Sequence, residues 1–245
     1  MNEVGAPGRC IAMWSGPRNI STAMMRAWEN RADTIVIDEP FYAHYLEETG
    51  IQHPMAREII AAGETDWHRV VRQITTSPST GVFYQKHITT HWMPYFDTDW
   101  LDKLDHVFLI RDPNAVAASY SNKWQDLSAR DLGYAQQHML FELIKDMLEK
   151  EPLVIDSARF LQDPASQLRS LCNTLDLNFD KSMLSWPAGK RSSDGLWEAH
   201  WYDSVRESTG FVNASHKPAP VLTIDLQGIA GKCMPHYEAL LRCAI

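Results

Sequence analysis

Residues 15 to 22, Ser15-Gly16-Pro17-Arg18-Asn19-Ile20-Ser21-Thr22, gather turn-forming residues, one fixed cation and three hydroxyls in a single short stretch. The apolar run Ile11-Ala12-Met13-Trp14 precedes them and the helix-forming stretch Ala23-Met24-Met25-Arg26-Ala27-Trp28 follows. A strand that turns straight into a helix aims successive backbone N–H groups, and the positive end of the helix, at one point in space. The stretch therefore predicts an anion-binding loop with Arg18 as its charge and a phosphorylated nucleotide as its ligand. A nucleotide-hydrolysing loop reads G-x-x-x-x-G-K-[ST]. Here the second Gly and the Lys are missing, which argues against ATP or GTP with magnesium. The plainer alternative is a strand-to-helix turn capped by Ser21, and such a turn has no need of Gly, Pro and Arg in series.

A second cation lies in Leu109-Ile110-Arg111-Asp112-Pro113, with Ser119 eight positions after Arg111. An Arg fork with a hydroxyl donor suits a phosphate dianion; alternatively, Asp112 caps the helix that Pro113 opens. A third basic stretch, Lys190-Arg191-Ser192-Ser193-Asp194-Gly195-Leu196-Trp197-Glu198-Ala199-His200-Trp201, reads either as part of a ligand cover or as a solvated charge run.

In this order the motifs resemble the sulfotransferases that use 3′-phosphoadenosine 5′-phosphosulfate. The Pro17-Arg18 pair resembles the Pro-Lys of their 5′-phosphosulfate loop, with Arg in the place of Lys. Arg111 and Ser119 resemble their 3′-phosphate element. Ile155-Asp156, Phe160-Leu161-Gln162-Asp163-Pro164 and the Leu168–Leu177 stretch are similar to the segment after the last core strand. Lys190, Arg191 and Ser192 approximate the Arg-Lys-Gly of the C-terminal motif, so the resemblance spans nearly the whole chain.

The resemblance implies 3′-phosphoadenosine 5′-phosphosulfate as cofactor, with no metal required. Arg18 then stands on the leaving-group side, while Ser15, Gly16, Pro17, Asn19, Ile20, Ser21 and Thr22 form the cradle of the 5′-phosphate. Arg111 and Ser119 hold the 3′-phosphate, and Lys190 and Arg191 close over the cofactor. Two residues are candidates for the general base. Glu39, in Asp38-Glu39-Pro40-Phe41-Tyr42, resembles the glutamate after the second strand of carbohydrate-type and bacterial members. His87, in Gln85-Lys86-His87, resembles the Lys-x-His of the cytosolic type with one residue missing between the pair. Glu39 is slightly favoured. The acceptor is expected to be a hydroxyl or amine of a small molecule or carbohydrate, with sugars, phenols, lipids and peptides all left open, and its specificity to lie in loops such as Phe41–Pro54 and in the Trp-rich C-terminal segment.

Positioning these residues requires an alternating pattern of strands and helices. Ile11–Trp14, Thr34–Ile37, Val82–Gln85, Val107–Ile110 and Leu153–Ile155 are short apolar runs without polar alternation, the signature of strands buried on both faces. The spacing predicts helices over Asn114–Trp124, Tyr134–Glu149 (stopped by Pro152) and Pro164–Leu175, and an irregular cover over Ser185–Lys217. The fold class is thus α/β, a three-layer, mostly parallel sheet with flanking helices in a single domain over residues 1–245. Ligands of such sheets lie beyond the carboxyl ends of the strands, where Ser15, Asp38-Glu39, Lys86-His87, Arg111-Asp112 and Asp156-Ser157 all stand.

A chain of 245 residues buries about 70–75% of its unfolded surface. Its formal net charge of −8 repels nucleic acid at long range, leaving a focused cationic pocket as the place for an anion. Cys10, Cys172, Cys233 and Cys243 form no C-x-x-C pair, which points to a reducing compartment. Residues 1–7 lack the pattern of a signal peptide and no run reaches membrane-spanning length, so a cytoplasmic protein is expected. His87 and His91 have the i, i+4 spacing of metal ligands, but Ile88-Thr89-Thr90 between them contains no Glu and reads as a strand exit. Two other classes stay open: a kinase or nucleotide hydrolase using Ile37-Asp38 for magnesium, and a non-catalytic nucleotide-binding module.

Overall fold

The run before the loop becomes β1 (Arg9–Ser15), buried from Cys10 onward. Its side chains divide by strand alternation. Ile11 and Met13 pack with Met24, Met25 and Trp28, whereas Cys10, Ala12 and Trp14 join the core on the opposite face. A strand between two apolar cores gains nothing from polar alternation, which is why its sequence shows none. The other expected runs form β2 (Thr34–Asp38), β3 (Val82–Ile88), β4 (Asp105–Ile110) and β5 (Leu153–Asp156). All pairings are parallel, in the order β2-β3-β1-β4-β5. The computed structural model describes residues 8–124, 126–212 and 220–245.

Helices on both faces complete three layers. After β1 comes α1 (Ser21–Glu29); between β2 and β3 lie α2 (Tyr42–Thr49), α3 (Ala56–Ala62) and α4 (Trp67–Ile74). Then follow α5 (Pro113–Ser121), α6 (Ala129–Leu132) and α7 (Tyr134–Leu148), with α8 (Ser157–Gln162) and α9 (Pro164–Thr174) after β5. The C-terminal part adds α10 (Glu198–Trp201), α11 (Asp203–Arg206) and α12 (Ile224–Leu241). The chain leaves β1 towards β2 but leaves β4 towards β5, on the other side of the sheet. The crevice beyond β1 and β4 is therefore the topological switch point, where such sheets bind ligands.

Three sequence expectations change. The Phe41–Pro54 segment is not a loop, because α2 occupies Tyr42–Thr49 and stops at Gly50, which takes the left-handed conformation at φ 64° that ends many helices. The Ser185–Lys217 segment is not irregular within its described part: α10 and α11 lie in it, and a bridge between Ser185 and Gly210 ties its ends together. Residues 213–217 of that expectation, and the reading of residues 1–7, lie outside the described residues. Finally, α12 escapes the spacing argument because Gly228, Gly231 and Pro235 break its pattern. Its buried Ala230, Cys233, Tyr237 and Leu240 hold it against the core instead.

A cluster of neutral histidines lies under the sheet. His106 accepts at Nδ1 from the Trp14 indole at 3.0 Å and donates from Nε2 to the Leu101 carbonyl at 2.8 Å, which fixes one uncharged tautomer. His87 stacks on Trp14 at 4.2 Å between ring centroids. Burial pushes the pKa of His87 down to about 3 and that of His106 down to about 4, and holds His91 well below its usual value. The unfolded chain therefore takes up these protons first. Their penalty is absent above about pH 6.5 and grows as the pH falls towards 4. His87 and His106 each cost about 2 kcal/mol by pH 5. Urea unfolding across that window will show stability falling steeply, and a constant midpoint between pH 7 and 5 would contradict this account.

Candidate functional site

In the loop after β1 the backbone twice enters left-handed space, at Arg18 (φ 60°) and Ile20 (φ 57°). For side chains other than glycine each such conformation costs about 1–3 kcal/mol, so the surroundings must hold it. Asn19 Nδ2 donates to the Leu109 carbonyl at 3.1 Å, and Gln137 Nε2 donates to the carbonyls of Trp14 and Leu109 at 3.2 and 3.0 Å. The Thr89 hydroxyl donates to the Ser15 carbonyl at 3.2 Å. Gly16 is required by close approach, since a Cβ there would sit 2.7 Å from the Leu132 carbonyl oxygen. Ser15 and Asn19 are thus buried loop supports.

The residue at the N-cap of α1 is Ile20, and no side chain caps the helix. The turn capped by Ser21 is therefore not what forms, and the first amide bonded within the helix is that of Met24, to the Ile20 carbonyl. The preceding amides of Ser21, Thr22 and Ala23 have no helical carbonyl to meet. Left-handed turns leading into an uncapped helix make a nest of N–H groups suited to an anion.

Arg111, at the end of β4, donates from Nη1 to the Arg18 carbonyl at 2.8 Å. Arg18 donates from Nε to the Ser119 hydroxyl at 3.1 Å and from Nη1 to the Trp201 carbonyl at 3.0 Å. Arg18, Arg111 and Ser119 are thus brought together at the switch point. Asp112 also caps α5, accepting from the amides of Asn114 and Ala115, so the cap and the cation coexist. Burial lowers the pKa of both arginines, and the charge of Arg111 lowers that of Arg18 further. Among the described residues neither has a carboxylate within salt-bridge distance.

Carboxylates gather instead at the end of β2, beside Lys86 of β3. Lys86 Nζ lies 2.8 Å from Asp38 Oδ1, 2.5 Å from Glu39 Oε1 and 2.6 Å from the Tyr202 hydroxyl. Those are all three donors of the ammonium. Burial lowers the lysine's pKa, but the two carboxylates outweigh burial and hold it above the usual value. For Glu39, burial pushes the pKa up, Lys86 pulls it down, and Asp38 adds a further upward push. Glu39 sits at a left-handed φ of 45° with its amide bonded to the Lys86 carbonyl.

His87 is not part of this group. Adjacent strand residues point to opposite faces, so with no residue between Lys86 and His87 the imidazole turns into the core on Trp14. It is 1% exposed and bonded to Gln85.

Lys190 is exposed and pairs with Glu198 at 2.8 Å. The Arg191 amide donates to Asp194, while its Nη2 is buried without a partner. Sequence reasoning missed what docks this segment. Arg26 on α1, 1% exposed, reaches the buried Asp194 carboxylate at 2.7 Å, and Ser193 donates to Glu29 at 2.5 Å. Arg26 lies in an apolar helix, and only its charge amid Met24, Met25 and Trp28 hinted at a buried partner. Removing one member of a buried pair costs about 3–5 kcal/mol. Asp194→Ala should lower the thermal midpoint accordingly, and an unchanged midpoint would show that the pair does not hold the segment. Among the described residues no cluster of three or more His, Cys, Asp or Glu could hold a metal ion.

A family described as "Sulfotransferase domain" matches residues 9–244. "Branched-chain-amino-acid aminotransferase-like protein 2" of Arabidopsis thaliana is 34% identical over 238 residues, covering 95% of the chain and 41% of that protein. "Branched-chain-amino-acid aminotransferase-like protein 1" of the same plant is 34% identical over 235 residues, covering 94% and 41%. The chain thus spans about two-fifths of the length of these curated relatives. Among solved structures, the "Sulfotransferase Domain from the Curacin Biosynthetic Pathway" aligns with a TM-score of 0.56 at 14% identity, covering 94% of this chain and 98% of that one. A sulfotransferase from Alicyclobacillus acidocaldarius gives 0.53 at 11% identity, covering 97% of each chain. The sulfotransferase domain of the Synechococcus PCC 7002 olefin synthase gives 0.52 at 16%, covering 94% and 96%. At these identities the structural likeness is one of fold.

Proposed function

Since the chain belongs to the sulfotransferase-domain family, we propose that it transfers a sulfuryl group from 3′-phosphoadenosine 5′-phosphosulfate to a hydroxyl or amine of a small-molecule or carbohydrate acceptor. The observation that carries the reading is the pair of half-buried guanidiniums, Arg18 and Arg111, converging on one crevice with no carboxylate partner among the described residues. Like charges so placed oppose each other until an anion arrives.

The chain's residues fit that cofactor. The uncapped start of α1, with the Ser21 and Thr22 amides, would hold the 5′-phosphate. Arg111, with Ser119, offers a fork and a hydroxyl to the 3′-phosphate. The buried, unpartnered Nη2 of Arg191 is a further donor from the C-terminal segment. When bound, the cofactor supplies the electrophilic sulfur and an anionic leaving group. That sulfur would be open to in-line displacement, the bond from the acceptor oxygen or nitrogen to sulfur forming as the bond from sulfur to the bridging phosphate oxygen gave way. Arg18 neutralises the charge that grows on that oxygen, and Glu39 takes the acceptor proton. Two guanidiniums supply the neutralisation, so the reading needs no metal.

Features of the site weigh against the other readings. Asp38, the candidate magnesium ligand of a kinase, is committed to Lys86 and Tyr202. The aminotransferase of the plant relatives' names would need a lysine free to form an imine, and Lys86, the buried lysine among the described residues, is held as an ammonium by two carboxylates. We place the protein in the cytoplasm as part of the same reading, because its four cysteines are free thiols as in reducing compartments. Among the described residues no helix is long and apolar enough to cross a membrane.

Calorimetric titration tests the assignment. Adenosine 3′,5′-bisphosphate should bind with micromolar affinity and ATP with magnesium should not. Binding of ATP alone moves the chain to the kinases, and binding of neither leaves a non-catalytic module.

A further inference from the structure

Tyr202 lies in the C-terminal segment, far in sequence from the strand ends, yet it is 5% exposed and its hydroxyl meets three partners. It donates to Asp38 Oδ2 at 2.7 Å and accepts from Lys86 Nζ at 2.6 Å and the Trp197 indole at 3.0 Å. One donor and two acceptor positions exhaust what a phenol offers, so its place is fully specified. Asp38 gains a further donor from the Gly195 amide at 3.3 Å. The charges do not balance: two carboxylates share one ammonium in a buried cluster, so one carboxylate is in excess and takes up a proton far more readily than the other.

We propose that the Tyr202 hydroxyl is a positioning group for the proton acceptor: by fixing Asp38 as the permanent counter-ion of Lys86, it leaves Glu39 as the carboxylate that gains and loses the proton. The asymmetry is in the hydrogen bonds. Asp38 accepts from Lys86, from the Tyr202 hydroxyl at 2.7 Å and from Gly195, whereas Glu39 accepts closely from Lys86 and has only a weaker contact with the Tyr202 hydroxyl. Of the groups that face Glu39, Lys86 comes from β3, Asp38 from β2, Tyr42 from α2, Tyr120 from α5, and Tyr202 from the turn between α10 and α11. The tyrosines are held neutral by burial, so Lys86 and Asp38 are the charges that matter. Burial and Asp38 raise the Glu39 pKa, in keeping with its role as the excess carboxylate. The base is therefore complete only when the segment bearing Tyr202 is docked. The inference rests on the reading of Glu39 as general base.

The test is a pH titration of the carboxyl-labelled protein by carbon NMR, with the Glu39 signal identified by its loss in Glu39→Gln. Tyr202→Phe keeps the ring, which lies 4.8 Å from the ammonium, and removes only the hydroxyl. The short bond lost is the one to Asp38, so the proton redistributes towards Asp38 and Lys86 turns more fully to Glu39; this outweighs the loss of the weaker Tyr202 contact with Glu39, and the Glu39 midpoint should fall by about one pH unit. Trp197→Phe, which removes a donor to the same hydroxyl, should lower it by less, and it carries the test if Tyr202→Phe does not fold. An unmoved Glu39 midpoint in the folded variants overturns the proposal. The acid limb of cofactor turnover should move with the midpoint. If the midpoint shifts and the limb does not, the charge partition stands and Glu39 as base is overturned.

Discussion

Arg111→Ala will weaken binding of adenosine 3′,5′-bisphosphate by about 10–100-fold. A hydrogen bond to a charged group contributes about 1.5–3 kcal/mol, and each 1.4 kcal/mol is about a factor of ten in affinity. The expected loss exceeds one contact because Arg111 also holds the Arg18 carbonyl, and with it the left-handed conformation on which the loop depends. Stability of the free protein should move differently. Arg111 lowers the pKa of Arg18 by repulsion, so its removal relieves a conflict in the absence of ligand. That relief opposes the loss of the bond to the Arg18 carbonyl, so the thermal midpoint of the unliganded variant should change little while affinity falls. Arg111→Lys should land between, since an ammonium keeps the charge and loses the planar fork. A variant that binds as tightly as the parent would remove Arg111 from the site.

An unfavourable free state of this kind explains why the residues of the proposed anion site stand out in the sequence. Cations at strand ends are awkward for folding alone, and Arg18, Arg111 and Ser119 could be found by type and spacing. The five strands were legible for a related reason: a strand buried on both faces carries an unbroken apolar run, and Ile11–Trp14 and Val107–Ile110 show it plainly. Segments whose structure comes from tertiary packing were less so. With Gly228, Gly231 and Pro235, α12 has poor local propensity and is held by its docked face, while α2 lacks a capping side chain at its start. His87 failed on geometry, because a single missing residue reverses the face it occupies on β3. Tyr202 gave no signal, since nothing near it in sequence shows that Asp38 and Lys86 will stand beside it.

Glu39→Gln will reduce turnover by about 10²-fold or more, within the range of general-base contributions, and leave affinity for adenosine 3′,5′-bisphosphate nearly unchanged. The two effects separate because Glu39 and the anion site occupy different strand ends: Glu39 follows β2, whereas Arg18 and Arg111 follow β1 and β4. The substitution is also mild for the fold. The variant cluster holds one ammonium, Lys86, against one carboxylate, Asp38, bonded at 2.8 Å, so no charge is stranded. The pH profile supplies a second sign. A base acts only when deprotonated, and burial and Asp38 raise the Glu39 pKa above its ordinary value, so the parent loses activity as the pH falls through that raised value. The variant has no such group to titrate, and its residual rate should be flat across the same range. Full activity in Glu39→Gln, or an acid limb that survives in it, would move the proton to another acceptor. His87 is then a poor substitute, since burial holds its pKa down to about 3 and its ring lies on the other face of the sheet.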